Sequence, residues 1–241
     1  MNLLRNILNF ILPPRCLICG KVLEDNKGLC NSCIDKIEFI NGNICYCCGH
    51  PLTSPMLVSY NRHQLCGKCL KTHKKIFRLS RSACVYDDFS KKLILDFKFY
   101  DKTDLSSFLA KMLYVCGKDI FDAGVDIIIP IPLHYTRLIK RRYNQSSLLA
   151  KELSKLTNIP VDYNSVIKKR QTRPQVECKG YERLKNLRGA FEVKDASNLK
   201  DKRVLLIDDV LTTGSTLKEC TEAILKSKPK SVDWLTVTRL I

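Results

Sequence analysis

Apolar and polar positions divide the 241-residue chain in two. From about residue 79 onward, short unbroken apolar runs alternate with stretches whose apolar residues recur every three or four positions. That order predicts buried strands, each followed by an amphipathic helix. Residues 80–86 and 125–131 read as strands, the second ending in Pro130-x-Pro132, which breaks regular structure where ligand-facing strand ends tend to lie. Residues 93–99 form an apolar stretch that carries Lys98, and Leu105, Phe108, Leu109, Met112, Leu113 and Cys116 share one helical face. Arg137-x3-Arg141-Arg142-Tyr143-Asn144-Gln145 opens a helix with Leu148, Leu149, Leu153 and Leu156 on its apolar side. After Pro160 the chain reads as irregular and basic until Gly189-Ala190-Phe191. Val204 to Ile207 then predicts a central strand, Leu217, Cys220, Ile224 and Leu225 a helix, and residues 232–237 a last strand. This repeated order implies an α/β fold, a parallel sheet with helices on both faces, over residues 79–241.

Residues 1–78 follow another pattern. Eight of the 13 cysteines form four C-x2-C pairs, Cys16/Cys19, Cys30/Cys33, Cys45/Cys48 and Cys66/Cys69. Each pair sets two thiolates on one tight turn, and two turns complete a tetrahedral Zn²⁺ shell. With no export signal expected, the thiols should stay reduced, which favours zinc over disulfides. Two structural sites follow, pairing either sequential or alternating turns. Cys47 reads as a bystander, and His50, His63 and His73, near enough to replace a ligand, read as surface residues. A module of about 60 residues with few large apolar side chains must draw folding energy from its metal.

The formal charge is +17, and residues 134–188 hold 14 Lys and Arg against 4 Asp and Glu. A basic excess this concentrated points to a polyanionic partner. No apolar run approaches the roughly 20 residues needed to span a membrane. Residues 3–12 read as a short amphipathic helix that packs on the body, with a membrane-surface anchor as the alternative. The expected location is the cytoplasm, with the inner membrane face as a further possibility.

The candidate chemistry lies where the central strand ends, in Asp208-Asp209-Val-Leu-Thr212-Thr213-Gly214-Ser215-Thr216. A hydroxyl-rich turn ahead of a helix N-terminus offers unpaired backbone N–H groups and the positive end of a dipole to a phosphate. Gly214 lets the backbone approach the anion closely. Asp208 and Asp209 would repel a bare phosphate. They fit a ligand that also carries hydroxyls, or a divalent cation. A phosphorylated sugar satisfies both halves. Neither the Walker A pattern nor G-x-G-x-x-G is present.

The string resembles the phosphoribosyl-pyrophosphate (PRPP) motif of type I phosphoribosyltransferases. In that family the two acids hold the ribose hydroxyls and the loop wraps the 5′-phosphate. The whole chain resembles the ComF family of competence-associated proteins. Besides the cysteine pairs, P-x-P and the PRPP motif, it shows Arg141-Arg142-Tyr143-Asn144-Gln145, close to R-G-[FY]-N-Q, Arg170-x-Thr172-x-x-Gln175, and Arg183-x-x-Asn186-Leu187-x-x-Ala190-Phe191. Arg142 stands where the family has Gly. If that turn requires a positive φ, Arg142 must adopt a costly conformation.

The resemblance implies a PRPP ligand with Mg²⁺, single-stranded DNA as a second partner, and a role in DNA uptake beside other uptake proteins. The expected ligand residues are Asp208, Asp209, Thr212, Thr213, Gly214, Ser215 and Thr216, with Asn144 and Gln145. Lys98 is the candidate for the pyrophosphate side, and Arg141 and Arg183 are further ones. The alternative is a transferase using Mg²⁺-PRPP and a nucleobase or amine acceptor. There Asp208 and Asp209 would orient the ribose and favour its developing positive charge.

Overall fold

The computed structural model describes residues 13–24, 28–52, 64–72, 75–100, 102–170 and 189–241. The expected helix at 3–12, His63, His73, Thr172, Gln175, Arg183, Asn186 and Leu187 lie outside them.

Four parallel strands make the sheet: β1 (Ser80–Val85), β2 (Ile127–Pro130), β5 (Arg203–Leu211) and β6 (Ser231–Arg239), in the order β1-β6-β5-β2. Neighbouring residues of β5 supply both faces, as an apolar run buried on two sides must. Leu205 and Ile207 join Leu235 and Val237 under α3 (Asp88–Phe99), α4 (Leu105–Cys116) and α7 (Gln145–Thr157). Val204 and Leu206 join Ile127, Ile129 and Trp234 under α8 (Ser215–Leu225). The fold is therefore the expected parallel sheet with helices on both faces. All four strands point the same way, so their C-terminal ends share one rim, and Asp208 and Asp209 lie on it.

Several local expectations change. β5 does not stop at the acids. It runs to Leu211 because β6 continues to pair with it, Asp208 opposite Thr236 and Leu211 opposite Arg239. The expected single helix from Arg137 is two, α6 (Tyr135–Arg141) and α7, with Arg142 to Asn144 between them. Asn144 caps α7, its side chain accepting from the Ser146 N–H at 3.0 Å. Leu156 and Leu225, assigned to apolar faces, are instead exposed in the last turns of α7 and α8. The segment after Pro160 holds a short antiparallel pair, β3 (Val166–Lys168) and β4 (Phe191–Val193). A short helix not anticipated, α5 (Lys118–Asp122), follows α4.

The cysteine-rich segment, with helices α1 (Asn31–Ile34) and α2 (Gly67–Lys71), packs on the free edge of β1. The Ile40 N–H donates to the Ala83 carbonyl and the Val85 N–H to that of Glu38. These bonds cover an edge that would otherwise present unpaired backbone groups. Cys16, Cys30 and Cys33 lie in the same core cluster as Leu93, Leu109 and Leu235. Farther along, the Ser80 N–H donates to the Cys47 carbonyl, and Gly49 lies flat against β1. Gly49 has φ +65°, and a Cβ there would stand 2.5 Å from the Ser80 carbonyl oxygen, so no side chain fits.

Candidate functional site

The rim site begins at the turn from β5 into α8. Gly214 caps α8 with φ 75°, a conformation that favours glycine, and the Ser215 N–H just beyond it donates to Thr213 Oγ1 at 3.4 Å. The Thr213 and Ser215 hydroxyls hydrogen-bond each other across the turn. Asp208, Leu211, Thr212, Gly214, Ser215 and Thr216 line one small concavity. The turn thus presents hydroxyls and N–H groups beside a carboxylate, as an anion attached to a hydroxyl-bearing body requires.

The two acids differ. Asp209 is buried and pairs with Lys98, Nζ to Oδ2 2.8 Å. Asp208 Oδ1 accepts from the Ser146 hydroxyl at 3.2 Å and from the Asp209 N–H at 3.0 Å. Burial, and then the charge of Asp209, push the Asp208 carboxyl up to about 7, against the pull of Lys98.

Lys98 reaches Asp209 because the end of α3 is latched. The last carbonyls of a helix lack internal partners. Here the Tyr143 hydroxyl donates to the Phe97 carbonyl at 2.6 Å, and Gln145 Nε2 to that of Lys98 at 3.4 Å. Arg141 donates to Gln145 Oε1 at 3.3 Å and stacks 4.9 Å from the Phe99 ring centroid. Asn144 Nδ2 donates to the Ile131 carbonyl at 3.0 Å. The Arg-Arg-Tyr-Asn-Gln element therefore ties the end of α3 to the rim, and Arg141, Asn144 and Gln145 make their polar contacts within the protein.

The cysteines gather into two tetrads, Cys16, Cys19, Cys30, Cys33 and Cys45, Cys48, Cys66, Cys69, each with its sulfurs within 4.8 Å of one another. Cys19 to Cys30 and Cys48 to Cys66 are both 3.6 Å, sulfur to sulfur. That is far beyond a disulfide of about 2.0 Å. It is close to the edge, about 3.8 Å, of a tetrahedron of sulfurs about 2.3 Å from zinc. The tetrads fit two structural zinc ions, and the turns pair in sequence order. Burial alone would raise Cys16, but the N–H groups of Cys19, Cys30 and Ile18 turned toward it bring it down to about 6. Cys45 is brought to about 7 in the same way, against burial, by the N–H groups of Cys48, Cys66 and Cys47. Burial and the neighbouring thiols push Cys33, Cys48 and Cys69 the other way, so in each tetrad one sulfur holds a thiolate most readily. Cys47 stands outside, its sulfur 3.9 Å from the Arg78 carbonyl. Arg239, buried at the end of β6, donates from Nη1 to the Cys48 carbonyl at 2.5 Å and so ties the second tetrad to the rim.

Known proteins share this organisation. Residues 7–70 match a double zinc ribbon domain and residues 143–239 a phosphoribosyl transferase domain. Competence protein F of Haemophilus influenzae is 32% identical over 92% of this chain and 93% of its own length. The chain belongs to the ComF family. Competence protein ComFC of Bacillus subtilis is 28% identical over 90% of this chain and 87% of its own, and the DNA utilization protein YhgH of Escherichia coli K12 is 28% identical over 92% and 95%. Solved structures align more loosely. The Bacillus subtilis glutamine PRPP amidotransferase has a TM-score of 0.38 at 16% identity, over 58% of this chain and 30% of that one.

Two features of this ComF chain bear on the sequence reading. Arg142 is left-handed, φ 66° and ψ −18°, so the turn does need a positive φ and the arginine carries the strain. Ser146 and Tyr143, which touch Asp208 and the end of α3, were not among the expected site residues. Their signal was their place beside Asn144 and Gln145 at the opening of α7. Arg183 lies outside the described residues.

Proposed function

We propose that this ComF protein binds PRPP, or a close 5′-phosphoribosyl relative, with Mg²⁺ at the rim, and holds single-stranded DNA on its basic surface during DNA uptake. One observation carries the reading. Two carboxylates stand beside an open hydroxyl- and N–H-lined turn at the start of α8. The Thr212 to Thr216 turn would hold the 5′-phosphate, and Asp208 and Asp209 the ribose hydroxyls. Among the described residues the rim offers no multi-carboxylate cage, which suits an Mg²⁺ that arrives on the ligand's own phosphates. The names of the relatives, competence and DNA utilization proteins, support the role in uptake. That role accords with a cytoplasmic location near the inner membrane and with partners in the uptake machinery.

The DNA part rests on charge and exposed rings. Tyr135, Leu138 and Ile139 on α6 are exposed beside Lys140 and Arg141, and Phe99 and Tyr100 are exposed at the end of α3. Basic groups for the backbone and aromatic faces for bases are what binding without sequence preference uses.

Titration of the zinc-loaded protein with fluorescent single-stranded DNA, with and without Mg²⁺-PRPP, tests the pairing of ligands. Binding that weakens steeply between about 50 and 200 mM salt is expected. No DNA binding at low salt, with PRPP still bound, its phosphoribosyl group transferred to an added acceptor and pyrophosphate released, would favour the transferase.

A further inference from the structure

Lys168 ends β3, opposite Phe191 in the antiparallel register. Side chains alternate along a strand, and the two adjacent lysines separate accordingly. Lys169 turns outward and pairs with Glu192 at 3.2 Å. Lys168 turns inward, on the face that carries buried Val166 and Phe191. Its Nζ lies 5.4 Å from the Phe191 ring centroid, and among the described residues it has no hydrogen bond and no ion pair. The groups that face it come from three elements: Arg137 of α6, Asp208 of β5 and Cys220 of α8. Burial, and then the nearby Arg137, lower its ammonium to about 8, with Asp208 and Cys220 acting the other way.

A half-buried ammonium without an acid partner is costly, and a protein that needed only a stem to cover Phe191 has apolar side chains for the purpose. Lys98, another cation at the rim, is already engaged by Asp209. An anion entering beside Asp208 would find Lys168 uncommitted.

We propose that Lys168 is a ligand-binding residue of the rim site, its ammonium taking a phosphate group of the bound phosphoribosyl ligand as the partner that the described residues do not provide. This rests on the PRPP reading above.

Calorimetric titration with Mg²⁺-PRPP and with ribose 5-phosphate tests it on wild type, Lys168→Met, which keeps the stem over Phe191, and Lys168→Arg, which keeps the charge. Lys168→Met should lose about tenfold or more in PRPP affinity, at unchanged zinc content and with a melting temperature no lower than wild type, and Lys168→Arg should recover most of the affinity. An equal loss toward ribose 5-phosphate would place the contact on the 5′-phosphate, and a loss toward PRPP alone on the pyrophosphate. Wild-type affinity should also fall as pH rises through about 8, where the free lysine gives up its proton, while Lys168→Arg lacks that step and keeps only the dependence that Asp208 brings near 7. Lys168→Met binding as tightly as wild type would overturn the role of Lys168 and leave the site assignment standing. A wild-type protein that binds no PRPP would remove the reading beneath it.

Discussion

Arg142 shows how far a single backbone angle decides this site. A residue with a Cβ at φ 66° is strained by about 1–2 kcal/mol, and the strain sits in the turn that carries the latch on α3. Arg142→Gly should therefore raise stability by about 0.5–1 kcal/mol, after glycine's greater loss of backbone freedom, seen as a higher urea midpoint with no change in slope. An unchanged or lower midpoint would mean that the arginine side chain contributes as much as its backbone costs. Asp208 offers a test by pH. Its carboxyl titrates near 7 in the folded protein and near 3.9 when unfolded. Between those values the folded state holds the extra proton, so stability falls as pH rises from about 4 to about 7 and stays low above. Asp208→Asn should then melt higher than wild type at pH 8, by on the order of 1–2 kcal/mol, and no higher at pH 4. A gain equal at both values would show that the charge is not its source.

Among elements, those with long apolar signals were the legible ones. β5 and β6 are buried on both faces, which forces unbroken apolar runs, and α4 and α7 face the sheet along most of their length. Where an element ends, the pattern thins: Leu156 and Leu225 follow the helical spacing, yet each keeps about two fifths of its surface exposed. β3 and β4 have three residues each, and strands so short carry too little alternation to read. The break between α6 and α7 shows in the chain's own residues only weakly, because an arginine occupies a position that glycine would have marked, and it is the family's glycine that points to a turn there. Of the site, the loop and the acids were plain, since their residue types sit side by side. The Lys98–Asp209 pair joins positions more than a hundred residues apart, and no local pattern reports it. Gly49 belongs to this scale too. Gly49→Ala must push the second zinc turn off β1, and urea denaturation should show a loss of about 2–3 kcal/mol. Wild-type stability in that variant would mean that the ribbon and the strand do not press together as described.

At the scale of the molecule, the boundary near residue 78 marks a change of pattern, but the contacts run across it. Segment 38–40 covers the edge of β1, the first tetrad shares the main core, and Arg239 joins the second tetrad to the strand that faces Leu211. Removing zinc should therefore weaken the whole protein. In calorimetry a chelator-treated sample should show a single transition at lower temperature, because metal-binding energy here is folding energy. A transition of the sheet unmoved by chelation would show that the two parts fold independently.

The central claim is that the rim is a PRPP site, and calorimetric titration of the zinc-loaded protein with Mg²⁺-PRPP tests it most directly. Wild type should bind with one site per chain. The Asp208→Ala/Asp209→Ala variant, retaining two zinc ions and a cooperative melt, should lose about a hundredfold or more in affinity. Unchanged affinity in the variant, or no binding by wild type, would contradict the account.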